Sequence, residues 1–370
     1  MLTKFSVTNF RNFKDKLLID FEDRHNYGFN KRATKNGIIS KSIVFGHNGC
    51  GKSNLGFALF DIVITLTDLY ADQRLYDKNS FLNADSNLPY AEFNYEFKFG
   101  KDVVEYKYRK SEPKILTYEE LFINGTLIYN FNFETKKGNF DNLALIGAET
   151  LNLDKDNINF AVLRFIANNT IQKEESTIKL LLDFVSHMLW FRSLGSNSFI
   201  GMTNEIVGLN DWIVKNNLIE EFEQFLKETA SLNLKLDNIQ VGNNNILLEK
   251  HKYRQLMFDK IASSGTISLQ LFFYWYKNFN NISFLFVDEF DAFYHFELSK
   301  NIIELILQYE DMQAMLTSHN TYLANNNLLR PDCYFILKDG QLKSFADSTD
   351  RELREGHNIE KMLREGEFDE

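Results

Sequence analysis

Residues Gly46-His47-Asn48-Gly49-Cys50-Gly51-Lys52-Ser53 spell G-x-x-x-x-G-K-[ST], and they lie between the apolar run Ser42-Ile43-Val44-Phe45 and a largely apolar stretch, Asn54 to Tyr70. A buried strand, this loop and a buried helix, in that order, make the frame in which a glycine-rich loop cradles phosphate. The glycines Gly46, Gly49 and Gly51 let backbone amides turn inward, and the helix N-terminus adds partial positive charge. Lys52 is then placed to reach the β and γ phosphates and Ser53 to ligate Mg²⁺, with Asn48 and Asn54 in the same nucleotide-binding set. The expected ligands are ATP and Mg²⁺.

A chain of 370 residues, 44% of them hydrophobic, can bury one large core or two. Its only cysteines are Cys50, inside the loop, and Cys333, which leaves neither a disulfide framework nor a thiolate metal site and fits a reducing cytoplasm. The opening Met1-Leu2-Thr3-Lys4-Phe5 reads as a strand without the features of an export signal, and no apolar run approaches bilayer-spanning length. A net charge of −10 argues against coating nucleic acid through an overall field, although 41 Lys and Arg leave room for a local basic groove.

Periodicity divides the chain. Residues 1 to about 45 read as antiparallel strands around the polar turn Asn9 to Asp15, which carries two aromatic anchors, Phe10 and Phe13. Alternating runs at 92–99, 103–108 and 121–129, with Asn124-Gly125 as a hairpin signal, predict a β-meander. From about 159 to 250 the pattern turns mostly helical, including Leu180 to Leu194 and Asp211 to Ala230, with Trp190 and Trp212 as core anchors. Helix and buried strand then alternate from Lys260 to Phe345 in the manner of a parallel sheet, and the charged tail 347–370 reads as a short solvated helix.

Three further motifs accompany the phosphate loop. Ile282 to Glu289 is an apolar strand ending in two carboxylates; beside the loop strand it would bring Asp288 to the Mg²⁺ shell and Glu289 to the attacking water as general base. Gln313 to Asn320 is a second such strand, ending in His319, whose neutral imidazole can donate a hydrogen bond to the γ phosphate. Upstream, Ser264-Gly265-Thr266 opens the apolar helix Leu269 to Tyr276; it reads either as an anion-facing helix start or as a plain N-cap by Ser264 or Thr266.

In this order the elements resemble the ABC-type ATPase head of the SMC and RecF-like class: phosphate loop, signature, acidic (Walker B) strand and switch histidine. The resemblance implies an α/β fold, a P-loop NTPase ABC-type head with an N-terminal antiparallel β lobe and a helical insertion. The resemblance covers about residues 1–70 and 260–340; with the periodicity, the expected division is 1–158 and 251–346 as the two parts of the head, 159–250 as a helical insertion suited to sensing and partner docking, and 347–370 as a tail. The resemblance further implies that Arg11, in the opening Phe5 to Lys14, approaches the nucleotide, and that Ser264, Gly265 and Thr266 act in trans on nucleotide held by a second copy, giving a homodimer or larger homo-oligomer. The chain departs from the class in its Q-loop: between Leu55 and Phe160 the one glutamine is Gln73, and nothing in its context marks it for that role. Within the class, the Ser-Ser-Gly-Thr form of the signature and the ending Arg351 to Phe368 are similar to the OLD-like and AbiL-like ATPases of bacterial abortive infection and anti-phage defence.

No Asp-x-Asp of a Toprim nuclease and no His-Asn-His pattern follows the switch histidine, and Asp288 and Asp291 have the wrong spacing for a Toprim metal pair. The expectation is therefore an ATPase that controls a separate toxic effector, a nuclease of Toprim, RloB-like or His-Asn-His type. The alternatives are a RecF-like DNA-repair ATPase, which needs a basic stripe, and a nucleotide-dependent scaffold without turnover, which has no use for Glu289.

Overall fold

Strict alternation of buried and half-buried residues builds the first sheet. In the computed structural model, which describes residues 1–69, 77–171, 173–193, 198–203, 208–242 and 244–368, the chain opens with β1 (Leu2–Thr8) and β2 (Leu17–Asp20), antiparallel with Phe5 opposite Ile19. The turn between them is pinned by the buried Phe10 and Phe13, whose amides and carbonyls bond each other at 2.9 and 2.8 Å. A two-residue pair, β3 (Thr34–Lys35) and β4 (Ile38–Ile39), precedes the wholly buried β5 (Lys41–Phe45) and helix α1 (Lys52–Leu66). The meander follows: β6 (Ala91–Phe99), β7 (Asp102–Glu112), β8 (Ile115–Ile123), β9 (Thr126–Asn132) and β10 (Lys137–Asn139). Asn124 and Gly125 both take positive φ, 51° and 76°, as a tight hairpin with the right twist requires. The lobe sheet runs β10-β9-β8-β7-β6-β1-β2.

The second sheet holds the predicted site. Its elements are α2 (Val162–Asn169), α3 (Thr177–Ser186), β11 (Met188–Arg192) and β12 (Phe199–Gly201), then α4 (Leu209–Lys215), α5 (Ile219–Ala230) and the small sheet β13 (Leu236–Val241), β14 (Asn244–Lys250) and β15 (Gln255–Met257). After the short α6 (Phe258–Ile261) come α7 (Ser264–Tyr276), β16 (Phe284–Asp288), α8 (Phe296–Leu307), β17 (Gln313–Thr317), β18 (Tyr334–Lys338), β19 (Gln341–Ser344) and α9 (Ile359–Arg364). The order is β12-β11-β16-β17-β5-β18-β19; the inner strands are parallel and the two edge strands antiparallel.

Successive strand residues face opposite sides of a sheet, so Trp190 meets α1 while Phe191 packs on Trp275 of α7, with ring centroids 6.1 Å apart. Helix α1 is apolar nearly all round because it lies between this sheet and the lobe. Gly56 allows the close approach on one side: a Cβ there would sit 2.6 Å from the Trp190 indole nitrogen and 2.8 Å from Phe286. On the other side Tyr95 donates to the Ala58 carbonyl at 2.9 Å, and Asp61 accepts from Tyr108 at 2.8 Å and Lys110 at 2.7 Å. The buried Glu119 accepts the Val162 and Leu163 amides at 2.6 and 3.0 Å, so a carboxyl from β8 satisfies the orphan donors that open α2.

The α/β P-loop architecture with its antiparallel lobe is present as expected, and several local expectations are corrected. The helix expected over 180–194 stops at Ser186, and Met188–Arg192 is a strand of the main sheet; a continuous apolar run fits either period, and burial on both faces favours the strand. Within the mostly helical stretch, Leu236–Val241 and Asn244–Lys250 are instead paired antiparallel strands. The acidic strand β16 is not beside β5, because β17 lies between them. The tail is docked rather than solvated: Leu353, Ile359 and Phe368 are buried, and the Phe368 ring stacks on Phe345 at 4.2 Å.

Candidate functional site

The loop between β5 and α1 has the geometry that phosphate recognition needs. Gly51 caps α1 at φ +111°, a conformation L side chains rarely adopt, and a Cβ on Gly46 would meet the Leu337 carbonyl and the Cys50 sulfur at 2.7 Å. Lys52 Nζ curls over the loop and donates to the Gly46 and His47 carbonyls at 2.8 and 3.2 Å. Burial pulls its ammonium below the ordinary lysine range.

At the C-terminal end of the parallel strands, side chains from three other segments converge on Asp288, which is fully buried. Ser53 Oγ donates to its Oδ2 at 2.7 Å and Thr317 Oγ1 to its Oδ1 at 2.9 Å. Arg192, from the end of β11, donates through Nε to Oδ2 at 3.0 Å and through a terminal nitrogen to Ser53 Oγ at 2.8 Å. Parallel strands end together, so a residue closing each strand reaches the same edge of the sheet. Ser53 and Asp288 are hard oxygen donors in contact, the ligand type Mg²⁺ takes where phosphates and water complete its shell. Among the described residues no group of three or more His, Cys, Asp and Glu is arranged to hold a metal.

Glu289 leaves the strand in the left-handed region, φ +51°, with its amide donating to Thr317 Oγ1 at 2.7 Å. That conformation is unfavourable for a glutamate, and its persistence at a strand end is typical of a residue aimed by its surroundings. His319 follows β17. Desolvation first, and the Lys52 ammonium second, hold its imidazole below the usual value, against the opposing carboxylates of Glu289 and Asp288, which favours the neutral ring that can donate one hydrogen bond.

Arg11 lies against the start of α1, donating to Asn54 Oδ1 at 2.9 Å with its guanidinium 4.7 Å from the Phe57 ring centre. Asn54 in turn bonds Asn12, whose amide reaches the Gly49 carbonyl at 3.4 Å, so the N-terminal turn is docked on the phosphate loop. Ser264, Gly265 and Thr266 make no hydrogen bond to the Ser53–Asp288 cluster of their own chain. The N-cap of α7 is Ser263, not Ser264 or Thr266: its hydroxyl accepts the Thr266 amide at 3.1 Å and pairs with the Thr266 hydroxyl at 2.9 Å. Thr266 is buried, while Ser264 is exposed. Gln73 lies outside the described residues.

Two residues of the cluster went unread in the sequence. Thr317 is the last residue of β17, two positions before His319, and Arg192 closes the apolar run Met188 to Phe191 as Asp288 closes Phe284 to Val287. That shared pattern, an apolar run ending in one charge, was the available signal, and the helical reading of 180–194 concealed it.

No curated protein matches the sequence. Among solved structures, the chain is similar to an SMC head domain from Thermotoga maritima (13% identity, 92% of this chain and 97% of that one, TM-score 0.42). It is also similar to an Smc head domain with an extended coiled coil, bound to the C-terminal domain of ScpA, derived from Pyrococcus furiosus (13%, 92% and 95%, TM-score 0.45). A third is the recombination mediator protein RecF (15%, 93% and 98%, TM-score 0.39). A family model described as "AAA domain, putative AbiEii toxin, Type IV TA system" matches residues 42–325, from β5 past His319. With most of its 370 residues inside that match, the chain belongs to this family of AAA domains.

Proposed function

We propose that the chain is an ATPase, converting ATP and water to ADP and phosphate with Mg²⁺, and that its nucleotide state controls a separate toxic effector in bacterial anti-phage defence. The catalytic part rests on one observation, the unbroken run of hydrogen bonds from Ser53 through Asp288 and Thr317 to the Glu289 amide. Phosphate-loop helix, acidic strand and switch strand thereby share a single site.

In this reading the loop amides and the N-terminus of α1 receive the phosphates, and Lys52 leaves the Gly46 and His47 carbonyls for the β and γ oxygens. Mg²⁺, when bound, neutralises charge on those oxygens, and Ser53 and Asp288 are the residues that would hold it. Glu289 accepts the proton of the water that attacks the γ phosphorus, and ADP leaves with the electrons of the broken bond. His319 donates to the γ phosphate, and Arg11 contacts the nucleotide from the N-terminal turn.

The exposed Ser264 at the first position of α7 suits a role in trans, in which Ser264, Gly265 and Thr266 of one copy close over nucleotide held by another. A cytoplasmic homodimer or larger assembly follows, with 159–250 as its sensing and docking segment and a nuclease of Toprim, RloB-like or His-Asn-His type as effector. The toxin system named in the family description supports that assignment. Among the described residues no helix is long and apolar enough to cross a membrane.

The test is the native mass of complexes purified through this chain from cells that also express its neighbouring genes, with and without ATP and Mg²⁺. A nucleotide-dependent assembly containing a nuclease, lost in Lys52→Ala, is the expected result. A bare dimer that gains mass only on added DNA would replace this reading by the DNA-repair one.

A further inference from the structure

Arg192 is the one charged side chain of the Asp288 cluster to which the proposed chemistry gives no task. Its hydrogen-bond partners are Ser53 Oγ at 2.8 Å and Asp288 Oδ2 at 3.0 Å, the same two groups that the proposed function gives to Mg²⁺. A guanidinium and a divalent cation cannot both occupy the space between one hydroxyl and one carboxylate oxygen. We propose that Arg192 is a displaceable cationic latch: it holds the Ser53–Asp288 pair before Mg²⁺ arrives and must swing off for the metal to bind. This inference rests on the reading of Ser53 and Asp288 as metal ligands.

The surroundings permit that motion in the side chain alone. The backbone just beyond Arg192 is fixed, because the Ser193 amide donates to the Asp288 carbonyl at 3.2 Å and Ser268 of α7 donates to the Ser193 carbonyl at 3.1 Å. The Arg192 side chain keeps 33% of its surface open to solvent while Asp288 has none, so the guanidinium has a way out and the carboxylate does not. A buried carboxylate left without a cation is strongly unfavourable, and the latch removes that penalty until the metal takes over. Displacing it forfeits charge-assisted hydrogen bonds, which makes Mg²⁺ binding weaker than the two ligands alone would allow.

The experiment measures binding of a fluorescent, non-hydrolysable ATP analogue to the full chain, in EDTA and in Mg²⁺, for wild type, Arg192→Gln and Arg192→Lys. Wild type should bind the analogue more tightly in Mg²⁺. Arg192→Gln should leave the EDTA affinity within about twofold and tighten the Mg²⁺ affinity about tenfold, the equivalent of one hydrogen bond to a charged group. Arg192→Lys, which keeps a cation beside Asp288 and so protects the fold, should shift the same way by a smaller factor. The melting temperature gives a second readout: Arg192→Gln should melt lower than wild type in EDTA and recover when Mg²⁺ and analogue are added together. An Mg²⁺ affinity that is unchanged or weaker in Arg192→Gln overturns the latch and makes Arg192 a bystander or a phosphate ligand. Wild type that binds the analogue equally with and without Mg²⁺ sinks the metal reading itself, and the latch with it.

Discussion

Helix α1 meets a carboxylate–cation pair near each end. Toward its C-terminus Asp61 faces Lys110 of the lobe at 2.7 Å, and at its N-terminus Ser53 faces Asp288 and Arg192. Both carboxylates are wholly buried, but Lys110 is 2% exposed where Arg192 is 33% exposed. Asp61 also accepts from Tyr108 and Thr65, all within one sealed layer between helix and sheet. Asp288 instead sits at a strand end beside Glu289 in strained backbone and the exposed His319. The same chemical pair serves as a fixed joint when water cannot reach it and as an exchangeable site when it can. Desolvation makes the first expensive to break; partial access makes the second open to a competing cation.

The contrast can be broken most forcefully at the joint. Lys110→Met strands the Asp61 charge under the lobe and should cost about 3–5 kcal/mol of unfolding free energy, read by denaturant titration. Adding Asp61→Asn removes the stranded charge and should restore most of the loss. Little recovery in the double variant would mean that Lys110 packing, not its charge, holds the lobe to α1. At the open end a change of equal chemical size should fall on rate instead. Glu289→Gln should lower kcat by about a hundredfold or more with nucleotide affinity kept, the range for loss of a general base. Its melting temperature should stay near that of wild type. Turnover untouched by this change would remove Glu289 from the base role.

The two ends were unequally legible in the sequence. The loop glycines, Lys52, Ser53, Asp288, Glu289 and His319 stand in short stretches where the reason for each residue is local, and the lobe shows itself through alternation and the Asn124-Gly125 turn. What stayed hidden depends on distance along the chain. Arg192 reaches Ser53 across 139 positions, and nothing within β11 says which strand it will pair with. The place of β17 between β16 and β5 is likewise a property of the assembled sheet. The tail misled through composition: its charges suggested a solvated helix, while Leu353, Ile359 and Phe368 carry the apolar anchors that dock it.

The smallest test applies the same contrast to neighbouring hydroxyls at the start of α7. Both are exposed, but the Ser263 oxygen caps the Thr266 amide, whereas among the described residues Ser264 forms no side-chain hydrogen bond. Ser263→Ala should therefore cost about 1 kcal/mol of stability, the usual price of a lost N-cap. Ser264→Ala should leave stability within about 0.5 kcal/mol, as surface substitutions do. Its effect should appear only between copies, as a smaller ATP-dependent dimer fraction by light scattering with Glu289→Gln present to prevent turnover. A dimer fraction unchanged by Ser264→Ala but reduced by Ser263→Ala would show that the cap, rather than an exposed hydroxyl, shapes this end of the helix for its partner. The contact in trans would then have to be made by the backbone amides at Gly265, where a Cβ would already lie 3.0 Å from the Phe293 carbonyl.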